Sequence, residues 1–156
     1  MKIINYFLQS IFIYLFFLLG IILRLNLSRK LFAFLFSILG PLFKSKKVIL
    51  NNMKIFSQNV KDFDQDKLVK NMWENYGMTF IEYLFLGYFR NNTTHINCEG
   101  KDNLLQITKN NKPVIFVSGH FANFELMSME ITKQNIPLAT IYRPLNNFFL
   151  NPLMEY

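Results

Sequence analysis

The sequence predicts an α/β protein: an N-terminal transmembrane helix plus a helical segment, then a mostly parallel β-sheet with flanking helices. Three observations lead there. Ile3 to Leu23 holds no charged residue. Val69, Met72, Trp73, Tyr76, Phe80, Leu84 and Tyr88 recur at helical steps. Further on, short apolar runs alternate with helical patterns, which indicates right-handed β–α–β crossovers. The expected boundaries are 1–26 for the anchor, 27–60 for an interfacial, membrane-proximal helical segment, and 61–156 for the α/β part.

The first segment, 21 residues long, rises about 31 Å as a helix, the thickness of a hydrocarbon core. A cleaved signal peptide is the competing reading. The apolar core is long and no A-x-A-like site follows it, so an uncleaved anchor is expected. Lys2 precedes the span; Arg24, Arg29, Lys30, Lys44, Lys46 and Lys47 follow it. The positive-inside rule then puts the C-terminal part in the cytoplasm. Leu31 to Phe43 is too short to span and contains Gly40-Pro41. It reads as an interfacial segment or as a core helix under the following domain.

Composition agrees with a membrane setting. Hydrophobic residues make up 51% of the chain, charged residues 17%, and the net charge is +7. Residues 1–60 carry eight Lys/Arg and no Asp or Glu. The basic excess therefore belongs to the apolar part, which fits a lipid surface and argues against nucleic acid. The single cysteine, Cys98, forms no internal disulfide.

Val48 to Gln58 is expected to be helical. Asp62 to Asp66 supplies N-cap candidates for a long helix reaching about Phe89. Ile96 to Cys98 reads as a short strand, Gly100 as a turn, and Asp102 as the cap of a helix from about Asn103 to Lys109. The central strand, Val114 to Val117, ends in Ser118-Gly119-His120. A helix follows, then a turn near Asn135 to Pro137 and a third strand, Leu138 to Tyr142. No metal-ligand cluster or phosphate-binding glycine loop is visible, so no metal or cofactor is expected.

The chemistry-bearing pair is His120 and Glu125. On one straight helix their spacing separates them by about 140°. They meet only if His120 ends the strand and Glu125 opens the helix, a break that Gly119 favours. A carboxylate accepting one ring N–H leaves the other nitrogen free to take a proton. The helix start also offers backbone N–H groups to an oxyanion. A plain surface or capping pair is the alternative. Ser118 as a nucleophile is conceivable, although nothing marks a nucleophile elbow.

Gly119-His120-Phe121-Ala122-Asn123-Phe124-Glu125 resembles the HX4E signature of the lysophospholipid-acyltransferase-like superfamily, in the form found in bacterial lipid A biosynthesis (lauroyl/myristoyl) acyltransferases. Ile141-Tyr142-Arg143-Pro144 followed by Asn146-Asn147 is similar to that family's YRP-x-x-N block. Met72-Trp73-Glu74-Asn75-Tyr76-Gly77 with Glu82 resembles its upstream W-x-N-x-G-x-x-x-x-E helix. Ala122 and Phe124 stand where glycine and tryptophan are frequent. Family members run to about twice this length, so the resemblance covers an N-terminal half and implies an incomplete acyltransferase domain.

The resemblance implies transfer of a fatty acyl chain from an acyl-thioester, on acyl carrier protein or CoA, to a hydroxyl of a lipid A precursor or other membrane lipid. His120 would remove the hydroxyl proton and Glu125 would orient His120. Arg143 would pair with an acidic group of the lipid or donor. Phe121 and Asn123 would contact substrate, and Phe121 and Phe124 would line the acyl path or pack behind the helix. The implied location is the bacterial inner membrane, single-pass, with the catalytic part cytoplasmic. Two alternatives stand beside it: a catalytically inactive membrane-anchored fragment, and a glycerolipid acyltransferase of the same superfamily, which usually carries aspartate where Glu125 stands.

Overall fold

The computed structural model describes residues 2–43, 46–58, 63–92, 94–110, 112–141 and 143–154. They fall into two compact units, Leu23–Phe85 and Met1–Ile22 with Leu86–Tyr156. Helix α1 covers Lys2–Phe43 and is broken at Arg24, whose backbone takes φ 59° and ψ 170°. Among the described residues one helix, Lys2–Leu42, is long and apolar enough to cross a membrane. Its first half exposes Ile4, Phe12 and Ile22, each more than 60% accessible.

In the Leu23–Phe85 unit, the second half of α1 packs on α3 (Gln65–Glu82). Asp64 caps α3, its carboxylate accepting the Lys67 N–H at 3.0 Å. This satisfies one of the donors that a helix start leaves unpaired. The contacts run antiparallel. Arg29 Nε lies 2.9 Å from the Glu82 carboxylate, Phe32 and Phe36 meet Phe80, and Gly40 lies under the Trp73 ring. Phe32 and Ile81 are the best-buried apolar side chains here, at 1% and 0% accessibility, and Ser28 beside them is also at 0%. Gly77 admits the Phe32 backbone, and a Cβ there would overlap it. Of the aromatic stripe, Trp73 is buried and Phe80 packs on Phe32 and Phe36, while Tyr76 is exposed. Helix α2 (Lys46–Ser57) also belongs to it, with Phe56 edge-on to Phe63 at 5.0 Å.

The other unit combines the first half of α1 with α4 (Leu86–Asn91), α5 (Lys101–Asn110), α6 (Glu125–Lys133) and α7 (Asn151–Met154). A 3-10 turn, Phe148–Leu150, precedes α7 and meets α1. The Asn147 side-chain amide donates to the Tyr6 carbonyl at 2.8 Å, the Tyr14 hydroxyl donates to the Phe149 carbonyl at 2.9 Å, and Phe7 meets Phe149 edge-on. Phe89, Met129, Ile131 and Ile136 form the buried centre. Gly100, at φ 76°, makes the turn into α5 in a conformation that favours glycine.

The expected parallel sheet is absent among the described residues. Ile96 to Cys98, Val114 to Val117 and Leu138 to Ile141 have no regular secondary structure, and Tyr142 lies outside the described residues. The α/β expectation is corrected to an all-helical arrangement joined by irregular segments. The physical reason is pairing. A strand exists only where a neighbour supplies ladder hydrogen bonds. Three runs this short bury too little apolar surface to offset the entropy of ordering them. Accordingly Ile115 and Val117 are each 89% accessible, and Ile141 is fully exposed. Continuous β-branched character reported the capacity for a buried strand without supplying its partners.

Candidate functional site

The residues from Gly119 to Glu125 turn the chain into α6. The Phe121 N–H donates to the Gly119 carbonyl at 2.8 Å, closing a tight turn centred on His120. Ala122 follows at φ 46°, in the left-handed region that side-chain-bearing residues enter at a cost. Phe124 precedes the helix without a capping side chain, and Glu125 begins it. The Leu126 and Met127 N–H groups donate to the carbonyls of Asn123 and Phe124. Those two donors are thus engaged within the turn rather than offered to an oxyanion. A carboxylate in the first turn is favourable, because the helix start carries partial positive charge.

His120 is exposed, and its ring lies against Phe124 with centroids 4.3 Å apart. The structure thus brings the imidazole onto the residue immediately before Glu125, which is half-buried at the helix start. Phe121 is 83% accessible and Asn123 is buried. Arg143 is exposed in an irregular segment. A groove of about 920 Å³ lies beside α6. The apolar runs Val114–Phe116 and Leu138–Ile141 form its walls, and Met127 and Ile131 form its floor. Neither His120 nor Arg143 is among its lining residues.

What holds α6 in place was not singled out from the sequence. Glu130 is buried and meets both Lys133 and Lys101, at 3.8 Å for the second. Lys133 also donates to the Phe89 carbonyl at 2.8 Å. This network joins α4, α5 and α6. A buried carboxylate demands such partners, and the i,i+3 spacing of Glu130 and Lys133 was the available signal. Asn147, the last residue of the YRP-x-x-N block, is likewise a structural anchor. Its Oδ1 accepts the Phe149 N–H at 3.2 Å while its amide reaches Tyr6. Among the described residues no group of three His, Cys, Asp or Glu is placed to hold a metal ion.

A family model described as bacterial lipid A biosynthesis acyltransferase matches residues 1–155. That match spans almost the whole chain, and the protein belongs to this family of acyltransferases. Comparison with curated proteins and with solved structures finds no match.

Proposed function

We propose that this chain transfers a fatty acyl group from an acyl-thioester, carried on acyl carrier protein or CoA, to a hydroxyl of a lipid A precursor at the bacterial inner membrane. The family match carries this reading, because it includes the segment that holds His120 and Glu125. His120 takes the proton of the acceptor hydroxyl as its oxygen attacks the thioester carbonyl. The resulting imidazolium then protonates the departing thiolate. Glu125 orients the ring and offsets its positive charge. The thioester is already activated, so no covalent enzyme intermediate is required.

The surroundings of His120 support a base open to substrate, since the residue is exposed and its ring lies against Phe124. Arg143, also exposed, suits bidentate pairing with a phosphate. Phe121, exposed beside His120, completes the proposed substrate contacts, while the burial of Asn123 suits a positioning role. Helix α1 keeps the chain at the bilayer. Tyr6, Phe7 and Tyr14 meet the 147–150 turn, so this stretch of α1 divides its surface between lipid and protein.

The test is transfer of a radiolabelled acyl group to a lipid A precursor by membranes containing the chain. His120→Ala should reduce turnover by about 10²-fold or more, the usual contribution of a general base, and Glu125→Gln should reduce it less. Unchanged transfer by His120→Ala would remove the proposed base. A second reading, a catalytically inactive membrane-anchored chain, is favoured by the lack of a sheet among the described residues. Absence of transfer by the parent chain in an assay where another family enzyme is active would select it.

A further inference from the structure

The proposed chemistry leaves α2 unused, although that helix has a patterned outer surface. Val48 and Ile55 are exposed, Ile55 at 63%, and stand seven residues apart on one row of the helix, with the exposed Asn51 and Asn52 between them. Lys47 and Lys54, both exposed, form a second row with the same spacing. At 3.6 residues per turn the two rows lie about 100° apart around the axis. Among the described residues neither lysine takes part in an ion pair. From Lys2 to Lys61 the sequence contains no Asp or Glu. Ser57 lies on the side away from the apolar row and is exposed.

We propose that α2 is a membrane-surface helix that recognises anionic phospholipid. Val48 and Ile55 enter the boundary between headgroups and acyl chains. Lys47 and Lys54, a quarter-turn away, lay their methylene stems along that boundary and hold their ammonium groups at the phosphates. This is the arrangement an amphipathic helix adopts when it lies in the interface plane. Charge complementarity selects lipid of negative charge, with each lysine strengthening association about five-fold. An acidic protein would also offer partners to both rows; the membrane setting selects lipid. A lipid surface uses both, and it is already implied by the apolar helix α1 that precedes α2 in the chain.

The experiment uses the full chain with Cys98→Ser, reconstituted into vesicles of phosphatidylcholine with or without phosphatidylglycerol. An environment-sensitive fluorophore is placed on Ile55→Cys or, separately, on Ser57→Cys. The expected result has three parts. Emission from position 55 shifts blue and is quenched by brominated acyl chains when phosphatidylglycerol is present. Position 57 remains aqueous. Lys47→Glu with Lys54→Glu weakens the phosphatidylglycerol-dependent quenching by about ten-fold or more, with helicity by circular dichroism unchanged. A probe at 55 that stays in water in both lipids overturns the proposal, as does protection of that probe only on adding an acidic protein. Equal quenching with and without phosphatidylglycerol overturns the anionic selectivity. None of these readouts depends on acyl transfer.

Discussion

Replacing Gly77 with alanine probes the closest approach of α3 to α1 in the Leu23–Phe85 unit. In an open helix this change is favourable by about 0.5–1 kcal/mol, because alanine loses less backbone entropy on folding. Here the added Cβ would stand 2.6 Å from the Phe32 carbonyl carbon and 2.9 Å from the Phe36 Cβ. Carbon atoms in contact prefer about 3.5–4.0 Å. Neither neighbour can swing aside, since one is backbone and the other is attached directly to it. The helices must therefore separate by roughly an ångström, and overpacking of this kind costs about 1–3 kcal/mol. Subtracting the propensity gain leaves a net destabilisation of up to about 2.5 kcal/mol, with a central value of about 1 kcal/mol. The assay is denaturant unfolding in detergent micelles, followed by the emission of Trp73, the chain's single tryptophan. Gly87→Ala is the internal control, because a Cβ there meets nothing within 4 Å. It should stabilise α4, as read by far-UV circular dichroism. A Gly77→Ala protein as stable as its parent would refute the packing of α3 against the Phe32 backbone.

Arg29→Met takes the guanidinium away from the buried Glu82 carboxylate, and should lower stability by about 1–3 kcal/mol. The double variant with Glu82→Gln should recover part of that loss in the same unfolding assay, and no recovery would show that the two side chains are not coupled. Ala122→Gly relieves a left-handed backbone worth about 1–2 kcal/mol of strain while adding chain entropy of about 0.5–1 kcal/mol to the unfolded state. It should therefore be neutral or slightly stabilising in thermal unfolding, and a clear loss would mean that φ at this position is negative. Asn147→Ala deletes both the bond to Tyr6 and the cap on Phe149, at a cost of about 1–2 kcal/mol. Limited proteolysis should then cut the 147–154 segment sooner, and an unchanged cleavage rate would count against the anchor.

Helical features were legible where local chemistry decides them. The uncharged run of α1, an N-cap within Asp62 to Asp66 and the stripe carrying Trp73 and Phe80 all follow from period and capping, whereas the burial of Ile81 was not read. The turn at Gly100 follows from its tolerance of positive φ. Two boundaries shifted. The helix expected to reach Phe89 instead tightens into a 3-10 turn at Tyr83–Phe85 before α4. Asp102 lies inside the first turn of α5 rather than capping it. The strands were not decidable locally, because Val114 to Val117 has the same composition whether or not a neighbour pairs with it. Of the candidate site, the helix starting near Glu125 was readable from period, while His120 does not end a strand and the left-handed backbone falls on Ala122 rather than on Gly119. The packing of His120 on Phe124 and the Glu130 network depend on contacts that sequence spacing does not encode.

The uncovered side chains of Ile115, Val117 and Ile141 have a consequence for handling the protein. Val114 to Ser118 contains no charge and no proline, and gatekeepers stand on its N-terminal flank alone, as Lys112 and Pro113. Such a segment nucleates cross-β stacking between molecules once concentration rises. Removing detergent should therefore yield thioflavin-positive deposits rather than an amorphous precipitate. Lysine at position 115 or 117 should keep the chain dispersed without touching the turn at His120.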